Sequence, residues 1–451
     1  MRLPFLITTL SHPAWRDALA CARALPAEAL PELRLDLLRN SDPASLVRDL
    51  GGRCLVTARR ASELGRWPDE DEAGRLAALH AAVEAGAAWV DFEWELPVPA
   101  WLAASRGQVG LLRSVHVAPG IFDGLARLQH PPEGDAFKWV GHASSLRDLA
   151  HARLFCEAAR ARGLQASGFL MGPKGVASRC LQKAWGGAFT YAAPDDGPPA
   201  APGQLTLSTM RAWGVHRAGP MTKVFAVAGE PALHSRSPAY HNHRFTEAGL
   251  DALYLPLEAS DPDEVLFAAG VLHLQGLSLT APLKESLPPR LGLKGPLNTL
   301  WREGDAWHGA NTDAEALDVA TRGLPPGPVL VLGSGGVAAT SVEVGKGQRR
   351  RVRPSSRRAP MTAAEVKALA PVGVIQATTL GMGAGDPCPF PELLEAARPT
   401  LAWAVEWIYK ERTAFAAWAR GAGLRLVEGA ALFEAQAEGQ SRRFLRAAAE
   451  G

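Results

Sequence analysis

An α/β chain in two unequal parts is what this sequence predicts: a (β/α)8 barrel followed by a second α/β unit. Three observations carry the prediction. Short apolar runs alternate with Ala/Leu/Arg-rich amphipathic stretches eight times before residue 210. Charged residues recur at one end of those runs. The pattern then restarts at Lys223, and further on an apolar run is followed at once by a glycine-rich turn.

The barrel strands are expected over residues 5–9, 33–37, 54–58, 88–92, 111–115, 137–140, 168–171 and 189–192. Amphipathic helices such as 73–85 and 146–161 separate them. A doubly wound sheet has the same alternation, so periodicity does not decide. The polar residues do. Glu32, Arg34 and Asp36 flank apolar residues in the second strand, Arg59 follows the third, and Asp91 and Glu93 end the fourth. His116 ends the fifth, Lys138 lies within the sixth, and Arg179 follows the seventh. Charged groups at one end of many barrel strands converge on one pocket. Singly, each has a bland reading: Glu32, Arg34 and Asp36 read equally as an ion-pair ladder, and a lone His after a strand is more often a satisfied structural residue. Lys138 differs. Between Phe137 and Trp139 an amine is costly unless paired or neutral. Burial lowers its pKa and makes it nucleophilic toward a carbonyl.

Read together, Glu32–Asp36, Thr57-Ala58-Arg59, Ser114-Val115-His116, Lys138, the run from Met171-Gly172 to Ser178-Arg179, and Ala201-Pro202-Gly203-Gln204 resemble type I 3-dehydroquinate dehydratase. The resemblance implies that Lys138 forms a Schiff base with the C3 ketone of 3-dehydroquinate. His116 then serves as base and acid, and Arg179 grips the carboxylate. Glu32, Arg34, Arg59 and Gln204 bind hydroxyls or hold the constellation. Glu63 stands in a Glu-Leu-Gly where the family has Glu-Gly-Gly, and Ala200 replaces the family's usual Ser.

The second part opens on an expected strand at 224–228, ended by Gly229-Glu230-Pro231. Ser235-Arg236-Ser237-Pro238 then precedes a helix expected from about Ala239. Two serines there serve an anion or an ordinary N-cap. Next come Gly276–Lys284, Asn298-Thr299 and Gly309–Asp313. Lys284 and Asp313 read as an acid/base pair or as a surface salt bridge. Residues 329–332 form a continuous apolar strand, and Gly333-Ser334-Gly335-Gly336-Val337 follows directly. Such a turn lets backbone N–H groups approach a pyrophosphate at a helix N-terminus. The helix expected after it is poor, because 340–347 holds β-branched residues and two glycines. Residues 349–358 hold six arginines, read as a solvated loop or as the contact to an NADP 2′-phosphate.

This ordered set, with Gln376 through Gly381-Met382, Tyr409 with Thr413, and Gly429 through Gln436, resembles shikimate dehydrogenase. The resemblance implies a Rossmann-like NADP domain. It assigns Ser235 and Ser237 to the carboxylate of 3-dehydroshikimate, and Thr280, Asn298, Tyr409 and Gln436 to the ring hydroxyls. Lys284 and Asp313 become the catalytic pair. Gly333, Gly335, Gly336 and Val337 lie under the pyrophosphate, and Trp407 and Gly429 beside the nicotinamide. Ser278 and Gln376 stand where the family has Asn, and Glu406 where it has Asp.

The expected organisation is a dehydratase barrel at 1–210, a linker at 211–222, a substrate-binding domain at 223–317, the NADP domain at 318–425, and a helix at 426–451 returning to the substrate domain. The expected function is two consecutive steps, 3-dehydroquinate to 3-dehydroshikimate to shikimate. The rivals are an active dehydratase with an impaired dehydrogenase, and a metabolite-sensing regulator built from enzyme domains. A net charge of +2 argues against nucleic acid as partner. Five scattered cysteines without a Cys-x-x-Cys pair argue against a disulfide framework or a zinc site, and no metal is expected. No apolar run reaches the ~18 residues of a membrane span. A strand-like start in place of a signal peptide makes the expected location cytoplasmic.

Overall fold

The computed structural model describes all residues except 39–41, 382, 384, 410–412 and 451. Met382 of the motif above is therefore outside the described residues. The chain divides into two compact units, Met1–Leu274 and Gln275–Gly451.

The first unit begins with the barrel, whose eight parallel strands and eight helices alternate strictly. They are β1 (Leu6–Leu10), α1 (Trp15–Ala24), β2 (Ala29–Arg34), α2 (Pro43–Asp49), β3 (Leu55–Thr57), α3 (Glu72–Glu84), β4 (Trp89–Glu93) and α4 (Ala100–Ala104). There follow β5 (Gly110–His116), α5 (Gly124–Arg127), β6 (Ala136–His142), α6 (Leu149–Ala161), β7 (Ala166–Met171), α7 (Val176–Cys180), β8 (Thr190–Ala192) and α8 (Leu207–Trp213). The ladder runs β7-β6-β5-β4-β3-β2-β1-β8. Between β7 and β8 the barrel is closed by the backbone pair Ala188–Ala166 at 2.9 Å. The Ser167 hydroxyl helps, donating to Phe189 O at 2.7 Å and accepting from Phe189 N–H at 3.0 Å. Ile7, Leu30, Leu55, Trp89, Leu112 and Phe169 fill the interior below the polar end. A second apolar layer lies between strands and helices around Leu33, Val56, Val90 and Leu111.

One expected strand is corrected. Residues 33–37 do not form it; β2 is Ala29–Arg34, and Asp36 lies in the turn that follows. The Arg34 carbonyl accepts from the N–H groups of Leu37 and Leu38, which bends the chain there. Pro31, a residue that argues against a central strand, sits inside it opposite Thr8.

The first unit ends with β9 (Lys223–Gly229), α9 (Ser237–Glu247), β10 (Ala252–Glu258) and α10 (Pro262–Val271). β9 and β10 are parallel, and the Asn242 amide of α9 brackets Tyr254 by donating to its carbonyl (2.7 Å) and accepting from its N–H (2.8 Å). α9 starts two residues earlier than expected, at Ser237. Its first N–H donates to Ser235 Oγ at 3.1 Å. α10 docks on the barrel through Glu264, which pairs with Lys174 at 2.8 Å.

The second unit starts with β11 (Leu274–Leu279), α11 (Leu283–Ser286), β12 (Thr299–Glu303), β13 (Ala306–Ala310) and α12 (Thr312–Arg322). β11, β12 and β13 form an antiparallel meander. Then come β14 (Val329–Leu332), α13 (Gly336–Gly347), β15 (Val352–Ser355), α14 (Ala363–Leu369), β16 (Gly373–Gln376), α15 (Pro391–Ala397), β17 (Trp403–Glu406), α16 (Ala414–Gly421), β18 (Arg425–Val427) and α17 (Gly429–Ala449). The later strands make a parallel sheet of order β15-β14-β16-β17-β18, with its switch point between β14 and β16. α17 packs on α12 and β12.

The helix read as poor does form: α13 runs for 12 residues. Tertiary packing overrides propensity. Gly345 is the reason it lies so close to the sheet, since a Cβ there would stand 2.5 Å from Val352 Cγ2.

Candidate active sites

The barrel pocket is built where the sequence placed its charges. Glu32, Arg34, Arg59, His116, Lys138, Arg179 and Gln204 all line it, with Thr9, Tyr191 and Ala200. Lys138 is 4 % exposed. Its Nζ donates to Asp91 Oδ2 at 2.7 Å and reaches Tyr191 Oη at 3.4 Å. Asp91 also accepts from Arg59 at 2.8 Å and from the Ser114 hydroxyl. One carboxylate therefore serves two cations. Burial works against the Asp91 charge, but Arg59 and Lys138 overcome it and hold the carboxyl at about 2. For Lys138 burial wins over Asp91, and its pKa falls below the ordinary lysine value.

His116 is crowded at one nitrogen. Nδ1 lies 2.6 Å from Arg59 Nη1 and 3.4 Å from Glu63 Oε2. Arg59 has only donors, so Nδ1 accepts from it and the imidazole proton sits on Nε2. Burial, then the nearby Arg59, Lys138, Arg34 and Arg179 cations, depress the His116 pKa well below 6.5. The Glu63 carboxyl is raised by its own burial.

The three arginines are not equivalent. Arg59 is spent on Asp91. Arg34 is bound through both arms to Asp36, at 2.8 and 2.7 Å. Arg179 is 3 % exposed, its buried Nε has no hydrogen-bond partner among the described residues, and its guanidinium lies over Phe169. Burial lowers its pKa to about 10. Glu32 is held by the hydroxyls of Thr9 and Thr57 at 2.7 and 2.8 Å. Gln204 Oε1 accepts from the N–H groups of Ala200 and Ala201, which leaves its amide NH2 for the pocket.

Asp91 is the residue the motif reading left out of the site, although it stands at the end of a strand beside Glu93. That neighbour is structural: Glu93 is paired with the buried Arg75. The available signal was Lys138 itself, since a buried amine needs a carboxylate.

In the second unit, Lys284 Nζ meets Asp313 Oδ2 at 2.5 Å. Their side chains are 22 % and 10 % exposed, so the pair is half-sheltered and not a surface bridge. Asn298 Oδ1 accepts from Thr312 N–H (2.8 Å) and the Thr299 hydroxyl (2.9 Å), beside Asp313. Gln436 reaches the Thr312 hydroxyl at 3.5 Å, and Ser278 donates to Gln440 on the same helix. Thr280 lies in the turn between β11 and α11, and Tyr409 packs its ring against Phe433.

A cleft of about 440 Å³ opens at the sheet's switch point, between Gly333–Gly335, Ser356–Arg358 and Ala377–Leu380. Gly333 has φ +136, and a Cβ there would stand 2.7 Å from Ala377 O. A Cβ at Gly335 would meet nothing within 4 Å, so space remains above the turn. Gly336 and Val337 begin α13. Backbone N–H groups at a helix start, with Arg357 and Arg358 across the cleft, fit a phosphorylated dinucleotide. Trp407 is tied to α13 through Ser341 at 3.3 Å. Gly429 starts α17, where a Cβ would strike Ile408 O at 2.3 Å. Ser235 and Ser237 lie at the start of α9 in the first unit.

The first half is thus a barrel domain with a lysine-bearing, anion-ready pocket, and the second carries a doubly wound sheet with a dinucleotide-type cleft. Comparison with known proteins finds a family match in the barrel and another in the segment that follows it. Residues 8–213 match the family model of type I 3-dehydroquinase, and residues 227–293 that of the shikimate dehydrogenase substrate binding domain. The chain is therefore similar to type I 3-dehydroquinase in its first part and to the shikimate dehydrogenase substrate binding domain just after it. A bifunctional 3-dehydroquinate dehydratase/shikimate dehydrogenase, chloroplastic, from Arabidopsis thaliana is 28% identical over 60% of this chain and 48% of its own. A pentafunctional AROM polypeptide from Komagataella phaffii is 29% identical over 69% of this chain and 22% of its own. The chain thus spans half or less of these relatives' length. A solved structure of dehydroquinate dehydratase and shikimate dehydrogenase from S. pombe AroM covers 99% of this chain and 98% of its own, at 21% identity and TM-score 0.40.

Proposed function

We propose that this chain is bifunctional: it dehydrates 3-dehydroquinate to 3-dehydroshikimate in the barrel and reduces 3-dehydroshikimate to shikimate with NADPH in its second half. The observation that carries the first step is Lys138, a buried amine of lowered pKa in the same pocket as Arg179, a buried cation whose Nε has no hydrogen-bond partner among the described residues. The substrate carboxylate supplies that partner. Lys138 adds to the C3 carbonyl and water leaves, forming an iminium. His116 takes a proton from C2, and the electron pair flows into the iminium. The C1 hydroxyl then leaves as water with the proton from His116, and hydrolysis returns the amine.

For this His116 must accept at Nε2, so its own proton must move to Nδ1. Arg59 now blocks that, and Glu63 stands ready at 3.4 Å. A substrate hydroxyl that draws Arg59 away hands Nδ1 to Glu63 and frees Nε2. Glu32, Arg34 and Gln204 complete the hydroxyl contacts.

In the second half, Lys284 would deliver a proton to the carbonyl oxygen and Asp313 would hold and recharge it. Ser235 and Ser237 would take the carboxylate, and Thr280, Asn298, Tyr409 and Gln436 the hydroxyls. NADPH supplies the hydride. Gly333, Gly335, Gly336 and Val337 would cradle its pyrophosphate, Arg357 and Arg358 its 2′-phosphate, and Trp407 and Gly429 its nicotinamide ring. The substrates are small molecules, and the reading involves no nucleic acid. No described helix is long and apolar enough to cross a membrane.

A coupled assay tests the whole reading. 3-Dehydroquinate alone should give the enone absorbance of 3-dehydroshikimate, and NADPH added afterwards should be consumed as that absorbance falls. Enone formation without NADPH consumption leaves only the first half. Absence of the enone refutes the dehydratase assignment.

A further inference from the structure

Three metal-competent side chains meet beside the barrel pocket and take no part in the chemistry above. His12 follows β1, Cys21 lies on α1, and Asp196 belongs to the segment between β8 and α8. One ring nitrogen, the sulfur and one carboxylate oxygen all lie within 4.8 Å of one another. His12 and Cys21 are buried, while the Asp196 side chain is 67% exposed and leaves the cluster open to solvent.

His12 itself is the second observation. It is 8 % exposed, yet neither ring nitrogen has a hydrogen-bond partner among the described residues. A neutral imidazole carries one N–H and one lone pair, and buried polar atoms are normally satisfied. The ring is pressed under the loop, since a Cβ on Gly197 would lie 2.8 Å from Nε2. Asp196 Oδ1 stands 3.4 Å from the same nitrogen. That is long for a hydrogen bond, but it matches the N···O edge of a tetrahedral zinc site, roughly 3.4 Å for bond lengths near 2.0–2.2 Å.

We propose that His12, Cys21 and Asp196 bind one divalent cation of the zinc class, with water as fourth ligand. Nitrogen, sulfur and oxygen donors suit Zn²⁺ or Co²⁺; Mg²⁺ and Ca²⁺ require oxygen throughout. On binding, the Cys21 thiol loses its proton to solvent and the thiolate bonds the metal. The ion staples the 194–204 segment to the end of β1. That segment carries Ala200 and Gln204 into the barrel pocket, and Ser11 Oγ already reaches it at Pro198 O. The site stands on its own residues and holds whether or not the barrel turns over 3-dehydroquinate.

The test uses the full chain, stripped with a chelator and titrated with Co²⁺. One equivalent should bind and give a thiolate-to-cobalt charge-transfer band that Zn²⁺ bleaches. Cys21→Ser should lose the band. Asp196→Asn alters an exposed residue and spares the fold; it should bind at least about tenfold more weakly, with circular dichroism unchanged. Hydrogen–deuterium exchange across 194–204 should slow when Zn²⁺ is added to the wild type and not in Cys21→Ser. A cobalt spectrum without the thiolate band, or equal binding by wild type and both variants, overturns the site. Unchanged exchange in a zinc-loaded chain overturns the staple.

Discussion

The two candidate sites each hold a lysine against a carboxylate, by opposite means. In the barrel, Lys138 and Arg59 share one carboxylate, and Lys138, Arg59 and Asp91 are each 5% exposed or less. In the second unit, Lys284 and Asp313 form a single pair that remains 22% and 10% exposed, framed by neutral groups of Asn298 and Thr312. Burial depresses an amine, and a half share of one carboxylate does not restore it. The first site therefore shifts its lysine toward the neutral, nucleophilic form. The second keeps a partly exposed couple, a geometry that suits the proton transfer proposed for it.

The sharpest break of that comparison is a pair of variants. Lys138→Ala should lower dehydration by about four orders of magnitude or more, the scale on which losing an acting nucleophile works. It should leave dehydrogenation intact, and borohydride with 3-dehydroquinate should add ligand mass to the wild type and not to the variant. Asp91 keeps Arg59, so the fold is not left with an unpaired carboxylate. Lys284→Ala should do the reverse and lower reduction by about 10²–10⁴-fold. Dehydration surviving in Lys138→Ala would erase the distinction between the sites.

Arg179 gives the next largest effect and an unusual sign. A buried cation without an acceptor is a cost to the folded chain. Arg179→Gln should therefore raise the melting temperature while raising KM for 3-dehydroquinate about 10–100-fold, the worth of one or two charge-assisted hydrogen bonds. A fall in stability would mean that the guanidinium is already satisfied.

The pH dependence separates the sites further. His116 has a folded pKa well below 6.5. Between that value and 6.5 the unfolded chain binds the proton and the folded chain does not. Stability must then rise with pH across the window and be lost as pH falls through it. Denaturant titrations from pH 7 downward should show this slope, and His116→Asn should flatten it. The acid limb of dehydratase kcat/KM should likewise lie below 6.5, because the neutral imidazole is the proposed base.

Much of this was legible from the residues, for physical reasons that can be named. Glu32, Arg34, Arg59, His116, Lys138 and Arg179 line the pocket, because strand alternation and the barrel's single functional face leave little choice, whereas Asp36 and Glu93 do not line it. Two features were hidden. β2 began at Ala29 although Pro31, usually a breaker, lies inside it opposite Thr8. α13 formed through glycines that read as weaknesses, because Gly345 is what Val352 requires. Local propensity could show neither, since each is decided by a neighbour distant in sequence. Asp91 was visible but unranked: its importance comes from Lys138 and Arg59 converging on it across two strands.

The smallest predicted effect concerns Ala200, which lines the barrel pocket on the segment that also carries Gln204. Its N–H is already bound to Gln204 Oε1 at 2.8 Å, so the backbone there is positioned whatever the side chain. Ala200→Ser adds one hydroxyl to a preorganised place beside substrate. A single neutral hydrogen bond is worth about 0.5–1.5 kcal/mol, so KM for 3-dehydroquinate should fall about two- to tenfold with kcat unchanged. Reduction of 3-dehydroshikimate should not move, since Ala200 lies at the barrel pocket. A change in kcat in place of KM would show that the segment gates turnover in the barrel.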